Sequence, residues 1–190
     1  MNTSIKTLLI AALAVGSTFA FGQGASMSND NPMVGGMAMM ASKNIVENAM
    51  NSKDHTTLVA AVKAAGLVDA LMGDGPFTVF APANAAFDML PKGTVDKLLM
   101  KENKETLTKI LKYHVVAGRW TFESISQAIN DGDGKAEFTT LSGGKLWAMW
   151  NGPKNIVLKD EKGMVATIST YDVMQKNGVI HVINQVLMPK

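Results

Sequence analysis

The sequence predicts an α+β domain, a β-sandwich or wedge covered by several short helices. Two observations carry that prediction. Apolar residues recur at three- and four-residue spacing from Ile45 to Leu111, the period of amphipathic helices. From Tyr113 onward, short alternating runs are separated by Gly, Asn and Asp turn signals, the pattern of antiparallel strands. Helices first and strands afterwards favour segregated layers over an alternating parallel sheet. The 190 residues are 47% hydrophobic, enough for one domain with its own core, and no internal repeat divides them.

The N-terminal residues read as a secretory signal over residues 1–20. Lys6 precedes the apolar run Leu8 to Val15, and Gly16-Ser-Thr-Phe-Ala20 supplies the small residues of a cleavage site. The run is too short for a transmembrane helix. Residues 21–41, rich in Gly, Ser, Asn and Met, read as a flexible lead-in, and a single domain fills 42–190. Met27, Met33, Met37, Met39 and Met40 fall in that lead-in. Thioethers bind Cu(I), so these five are candidate ligands, although no histidine or cysteine accompanies them in the stretch.

Helical elements follow in order. Ile45, Val46, Ala49 and Met50 make one apolar face behind Ser42 or Asn44 as cap. Asp54 is placed to cap a second helix through Leu58, Val62 and Ala65, with His55 exposed in its first turn and Gly66 closing it. Leu67, Val68 and Leu71 make a short third turn. Phe77 to Phe80 is an aromatic and β-branched run, read as a buried strand that Ala81-Pro82 ends. Asn84 then caps a helix carrying Ala86 and Phe87, so Phe80 and Phe87 are expected in the same core. Thr94 introduces Val95, Leu98 and Leu99, and Leu107, Ile110 and Leu111 form the face of the next helix.

In the second half Tyr113-His-Val-Val116 reads as a strand, and Thr121 caps a helix through Ile125 and Ile129. Strands are expected at 136–141, 145–150, 155–159, 164–170 and 179–186. In Lys145-Leu-Trp-Ala-Met-Trp150, Trp147 and Met149 share one face and Leu146, Ala148 and Trp150 the other. One tryptophan is therefore expected inside and Trp147 at the surface, as a candidate contact for glycan or protein.

Three ordered segments resemble the fasciclin, or FAS1, domain. Thr78-Val-Phe-Ala-Pro-Ala-Asn-Ala-Ala-Phe87 resembles its first signature, TVFAPTNxAF. Tyr113-His114 is similar to its central Tyr-His pair, and Asn177-Gly-Val-Ile-His-Val-Ile-Asn-Gln-Val-Leu-Met-Pro189 to its second signature, NGVIHVIDxVLLP. Ala83 stands where the family usually has Thr, and Asn184 where Asp is common. The resemblance implies a β-wedge decorated by helices in an exported, single-domain protein of bacterial type. It also implies adhesion or contact with a cell-surface or matrix protein or polysaccharide. Within it Phe80, Pro82, Asn84, Phe87, Tyr113, His114, Gly178, His181 and Asn184 are expected in supporting, structural roles.

The rest of the sequence argues against other classes. A formal charge of +2 gives no support for a nucleic-acid partner. The absence of cysteine rules out a thiolate nucleophile, a disulfide framework and a cysteine-ligated zinc site. No serine sits in Gly-x-Ser-x-Gly, and there is no phosphate loop or His-Glu-x-x-His pair. The sequence thus reads as a binding domain without enzymatic activity or cofactor. The alternative reading is an exported protein that binds Cu(I) or a small apolar ligand.

Overall fold

The computed structural model describes residues 31–190. The expected export signal, the first part of the lead-in and Met27 lie outside the described residues. The remainder of the lead-in corrects its reading as flexible. Strands β1 (Met33–Val34) and β2 (Met37–Ala38) pair as an antiparallel hairpin. The reason is burial: Val34 and Met39 enter the core, and Asn48 accepts from the Met40 N–H at 3.1 Å and donates to its carbonyl at 2.7 Å.

Helix α1 (Ile45–Asn51) starts with a reciprocal cap in which the Asn44 side chain takes the Glu47 N–H and Glu47 takes that of Asn44. Met50, expected on its buried face, is exposed. A 3-10 turn, Lys53–His55, leads into α2 (Thr56–Ala65), which ends at Gly66 with φ 72°, a left-handed cap that glycine adopts without steric cost. Then come α3 (Val68–Met72), β3 (Phe77–Pro82), α4 (Asn84–Asp88), α5 (Thr94–Leu99) and α6 (Lys104–Tyr113). The remainder is β4 (Val115–Ala117), α7 (Phe122–Asp131), β5 (Lys135–Thr139), β6 (Lys145–Trp150), β7 (Ile156–Lys159), β8 (Val165–Gln175) and β9 (Gly178–Ile183). Tyr113 and His114 therefore close helix α6 instead of opening the strand, which begins at Val115.

Seven strands form one sheet in the order β4-β3-β9-β8-β7-β6-β5, and a bridge between Val116 and Thr140 brings its two ends together in a nearly closed wedge. The expectation of an all-antiparallel set fails at one place, since β3 and β9 run parallel from Phe77 beside Gly178 to Pro82 beside Ile183. These two central strands are covered on both faces. Val79, Ala81, Ile180 and Val182 face a cluster with α1, α2, α3 and α6, while Phe80 and Ile183 face the wedge interior with Tyr113, Ile125, Leu146 and Leu158. Double burial explains why both strands read as near-continuous apolar runs in the sequence.

Candidate functional site

The three sequence signatures converge on the β3–β9 pair. Phe80 is 1% exposed and stacks on His181, with ring centroids 5.7 Å apart. Phe77 donates its backbone N–H to the Asn177 carbonyl just before β9 and Ala83 to the Ile183 carbonyl within it, whereas Phe80 donates to His114 on the β4 side. By alternation the Pro82 nitrogen faces the β4 side, beyond the last β4 pairing, so proline ends β3 without forfeiting a ladder bond. A Cβ on Gly178 would lie 2.0 Å from the Phe77 carbonyl oxygen, so the parallel pairing requires glycine there. Phe87 does not share the core of Phe80. It is half-buried and packs outside the wedge, against the helical cluster and a small one around Ala86, Ile110 and Val186.

Both histidines of the signatures are buried and hydrogen-bonded. His114 donates from Nδ1 to the Ile110 carbonyl at 2.9 Å, and its Nε2 accepts from the Leu187 N–H at 3.0 Å. Burial pushes its pKa down to about 4. His181 donates from Nε2 to the Trp120 carbonyl at 2.7 Å and accepts at Nδ1 from the Asp172 N–H at 3.3 Å, and burial again lowers its pKa. Each imidazole is neutral and committed at both nitrogens. The Tyr113 hydroxyl donates to the Lys145 carbonyl and accepts from the Glu161 N–H at 3.1 Å, and burial raises its pKa to about 12. Asn184 extends the β8–β9 ladder, its Oδ1 accepting from the Thr167 N–H at 2.7 Å.

Asn84 corrects the expectation that it caps its own helix. It is the first residue of α4, behind Ala83, and no side chain caps that helix. Its Oδ1 instead accepts from the Thr57 N–H at 3.1 Å and the Thr56 hydroxyl at 3.2 Å, and its Nδ2 donates to the Lys53 carbonyl at 2.9 Å. Asn84 thus caps α2 across space, the role the sequence assigned to Asp54. We expect Asn84→Ala to cost about 1–2 kcal/mol in urea unfolding, since an orphan helix donor and a tertiary clamp go together. Asn177 works the same way. Its Oδ1 takes the Ile45 N–H at 3.0 Å, while its Nδ2 reaches the Leu71 and Gly73 carbonyls, each at 2.8 Å.

These polar groups are all engaged within the fold, and the candidate contact surface is the outer face of the sheet. Trp147 is partly exposed on the outer face of the sheet, in register between Glu137 on β5 and Lys159 on β7. Its indole Nε1 donates to Glu137 at 2.9 Å, and Lys145 bonds the other Glu137 oxygen at 2.6 Å. Those two bonds hold the exposed Glu137 carboxyl below its usual pKa, the Lys145 bond most strongly. The Lys135 ammonium stands 5.9 Å from the ring centroid. The result is a pre-oriented aromatic plate framed by three lysines, with Met149 beside it on the same face. Trp150 sits on the inner side with Phe122 at 6.1 Å and donates to Asn130 at 3.0 Å. The sequence pointed to Trp147 alone. Its neighbours were legible in the Lys135-Ala-Glu-Phe-Thr139 alternation once the Ser142-Gly-Gly144 turn fixed the register.

The lead-in methionines are divided by the hairpin. Met33, Met37 and Met40 are exposed and Met39 is buried. An apolar cavity of about 40 Å³ lies between α1, α2, α3 and β3, lined by Val46, Leu58, Val62, Leu71, Val79 and Phe80 among others. That is far below the roughly 300–1,000 Å³ of a small-molecule site, so it offers no room for the apolar ligand considered above.

Comparison with known proteins fits this architecture. A fasciclin domain profile matches residues 53–189. The chain belongs to the fasciclin domain family. It is 48% identical over 147 residues to Protein sll1483 of Synechocystis sp., a match covering 76% of this chain and 73% of that protein. It is 34% identical over 186 residues to the cell surface glycolipoprotein MPB83 of Mycobacterium bovis, covering 94% of this chain and 76% of its relative. A solved FAS1 domain pair from the insect cell adhesion molecule Fasciclin I superposes with a TM-score of 0.67 at 18% identity, over 77% of this chain and 51% of the other. That likeness confirms the FAS1 fold. Among the described residues of this fasciclin domain, no helix is long and apolar enough to cross a membrane.

Proposed function

We propose that this fasciclin domain is an exported, non-catalytic adhesion module that contacts a cell-surface or matrix protein or polysaccharide through the outer sheet face around Trp147. The observation carrying the reading is the indole itself. It is partly exposed, held by Glu137 and ringed by Lys135, Lys145 and Lys159, whereas the buried histidines are all engaged in the scaffold or walled off from solvent. A rigid aromatic with flanking cations is the kind of anchor that dominates binding interfaces. Lys6, the apolar run after it and the small residues to Ala20 support export. Relatives described as a cell surface glycolipoprotein and a cell adhesion molecule support the adhesive role.

The test is binding of purified protein to envelopes of its own host, read by sedimentation. Trp147→Ala should weaken binding about tenfold or more while leaving the melting temperature within a degree or two, because the side chain is not part of either main core cluster. Unchanged binding by the variant, or none by the parent, would remove this face from consideration.

A further inference from the structure

Methionine dominates the apolar part of this surface. Among the described residues ten large hydrophobic side chains are exposed, and eight of them are methionines; the other two are Leu141 and Val165. Met33, Met37, Met40 and Met50 lie on the β1–β2 hairpin, just after it and in α1. Met72 ends α3, Met89 and Met100 follow α4 and α5, and Met164 precedes β8. A side chain left in water gains little from being apolar, so burial does not account for the choice of residue. Positions spread over the ends of so many elements do not account for it as one docking patch either.

What separates methionine from leucine or valine at such positions is its sulfur. The thioether is soft, polarizable and nucleophilic, and the chain has no cysteine, so thioethers are its only oxidisable sulfur. Oxidation turns the apolar side chain into a polar sulfoxide, which disrupts a core but is well hydrated at a surface. The burial pattern sorts the methionines along that line. Among the described residues Met39 alone is fully buried, at 2% exposed, and Met149, Met174 and Met188 are half-buried. None of the eight exposed methionines belongs to a core cluster, so each can accept an oxygen without loosening the wedge or its helical cover.

We propose that the exposed methionines are an oxidant sink, each taking one oxygen from a hypohalous acid before Trp147 or the core is attacked. In the net step with hypochlorous acid the S–O bond forms and the O–Cl bond breaks. Chlorine leaves as chloride and the proton goes to water. Sulfur loses two electrons and chlorine gains two, so no further reactant is consumed. A thioether is the better nucleophile toward this oxidant than an indole or a protonated lysine, which are what the Trp147 face otherwise exposes. With no thiol present the product cannot cross-link, and sulfoxide reductases return it to the thioether. This protection is independent of what Trp147 binds.

The experiment adds hypochlorous acid to the full chain one equivalent at a time and locates the added oxygen by peptide mass spectrometry. The eight exposed methionines should fill first, with Met39 unmodified, Trp147 intact and the melting temperature close to that of the untreated protein. Two variants each remove part of the sink while keeping apolar side chains. One carries Met33→Leu, Met37→Leu, Met40→Leu and Met50→Leu, the other Met72→Leu, Met89→Leu, Met100→Leu and Met164→Leu. Trp147 should be oxidised at fewer equivalents in both variants than in the parent. The proposal is overturned if Met39 or Trp147 of the parent is oxidised alongside the exposed methionines. It is equally overturned if the melting temperature falls steeply while only those eight are modified, or if the variants lose Trp147 no sooner than the parent.

Discussion

Phe80→Ala should lower folding stability by about 3–5 kcal/mol, and Phe87→Ala by less than half of that. The contrast follows from where the two rings end. Phe80 is 1% exposed, fills the wedge interior and stacks on His181 at 5.7 Å. Its neighbours in the wedge interior, among them Ile125, Ile129, Leu146 and Ile183, are themselves fully buried, so truncation leaves a void inside the closed wedge. The walls cannot easily relax, because β3 is pinned on both sides by β4 and β9. Phe87 is half-buried outside the wedge, on a five-residue helix whose neighbours can move inward. Urea midpoints for the two variants, with unchanged m-values, measure the difference. A Phe80→Ala cost below about 1 kcal/mol would mean that the wedge core does not depend on this ring.

The same pair of rings shows what was legible in the sequence. Element type and order came through wherever a local rule applied: Asn44, one of two candidate caps, at the start of α1, Gly66 closing α2, Thr121 capping α7, and alternation in β6. Failures occurred where a side chain acts across space. Asn84 looked like a cap for the helix that follows it, yet it serves α2, whose first turn lies 27 residues earlier. His55 looked exposed because one polar residue in a first turn normally is, and only tertiary packing brings Val34 and Met39 over it. Tyr113-His114 looked like a strand start because aromatic and β-branched residues follow one another, although the helical hydrogen bonds run through Tyr113. The parallel β3–β9 pairing joins residues about 100 apart and leaves no local signature beyond two doubly buried runs.

The candidate site was legible to a similar degree. Alternation in β6 placed Trp147 on the outer face, and a single strand could say no more. The Glu137 clamp and the lysine frame required the β5–β6–β7 register.

Acid should unfold this domain unusually steeply between pH 6.5 and about 4. His55, His114 and His181 are all buried, and burial lowers the pKa of each, to about 4 for His114. In the unfolded chain each takes up a proton near pH 6.5, whereas in the folded protein each stays neutral to lower pH. The unfolded state therefore holds more protons across that window, and stability falls as the pH drops. The loss from His114 begins near pH 6.5 and is complete once the pH passes about 4. At about 1.4 kcal/mol per pH unit, it reaches about 3 kcal/mol for that residue. The hydrogen bonds point the same way. A proton on His114 Nε2 would face the Leu187 N–H, and one on His181 Nδ1 would face that of Asp172, setting donor against donor at both buried sites. Asp160, Asp172 and Asp54 oppose the shifts but rank below burial in every case. Glu137 and Glu161, with pKa values below the ordinary carboxylate range, lose their contributions only at more acid pH. Urea midpoints between pH 7 and 4 read the slope directly. His114→Gln should be less stable at pH 7 yet show a shallower acid dependence. A flat profile from pH 6.5 to 4.5 would contradict the neutral, doubly bonded state of His114 and His181 on which the scaffold depends.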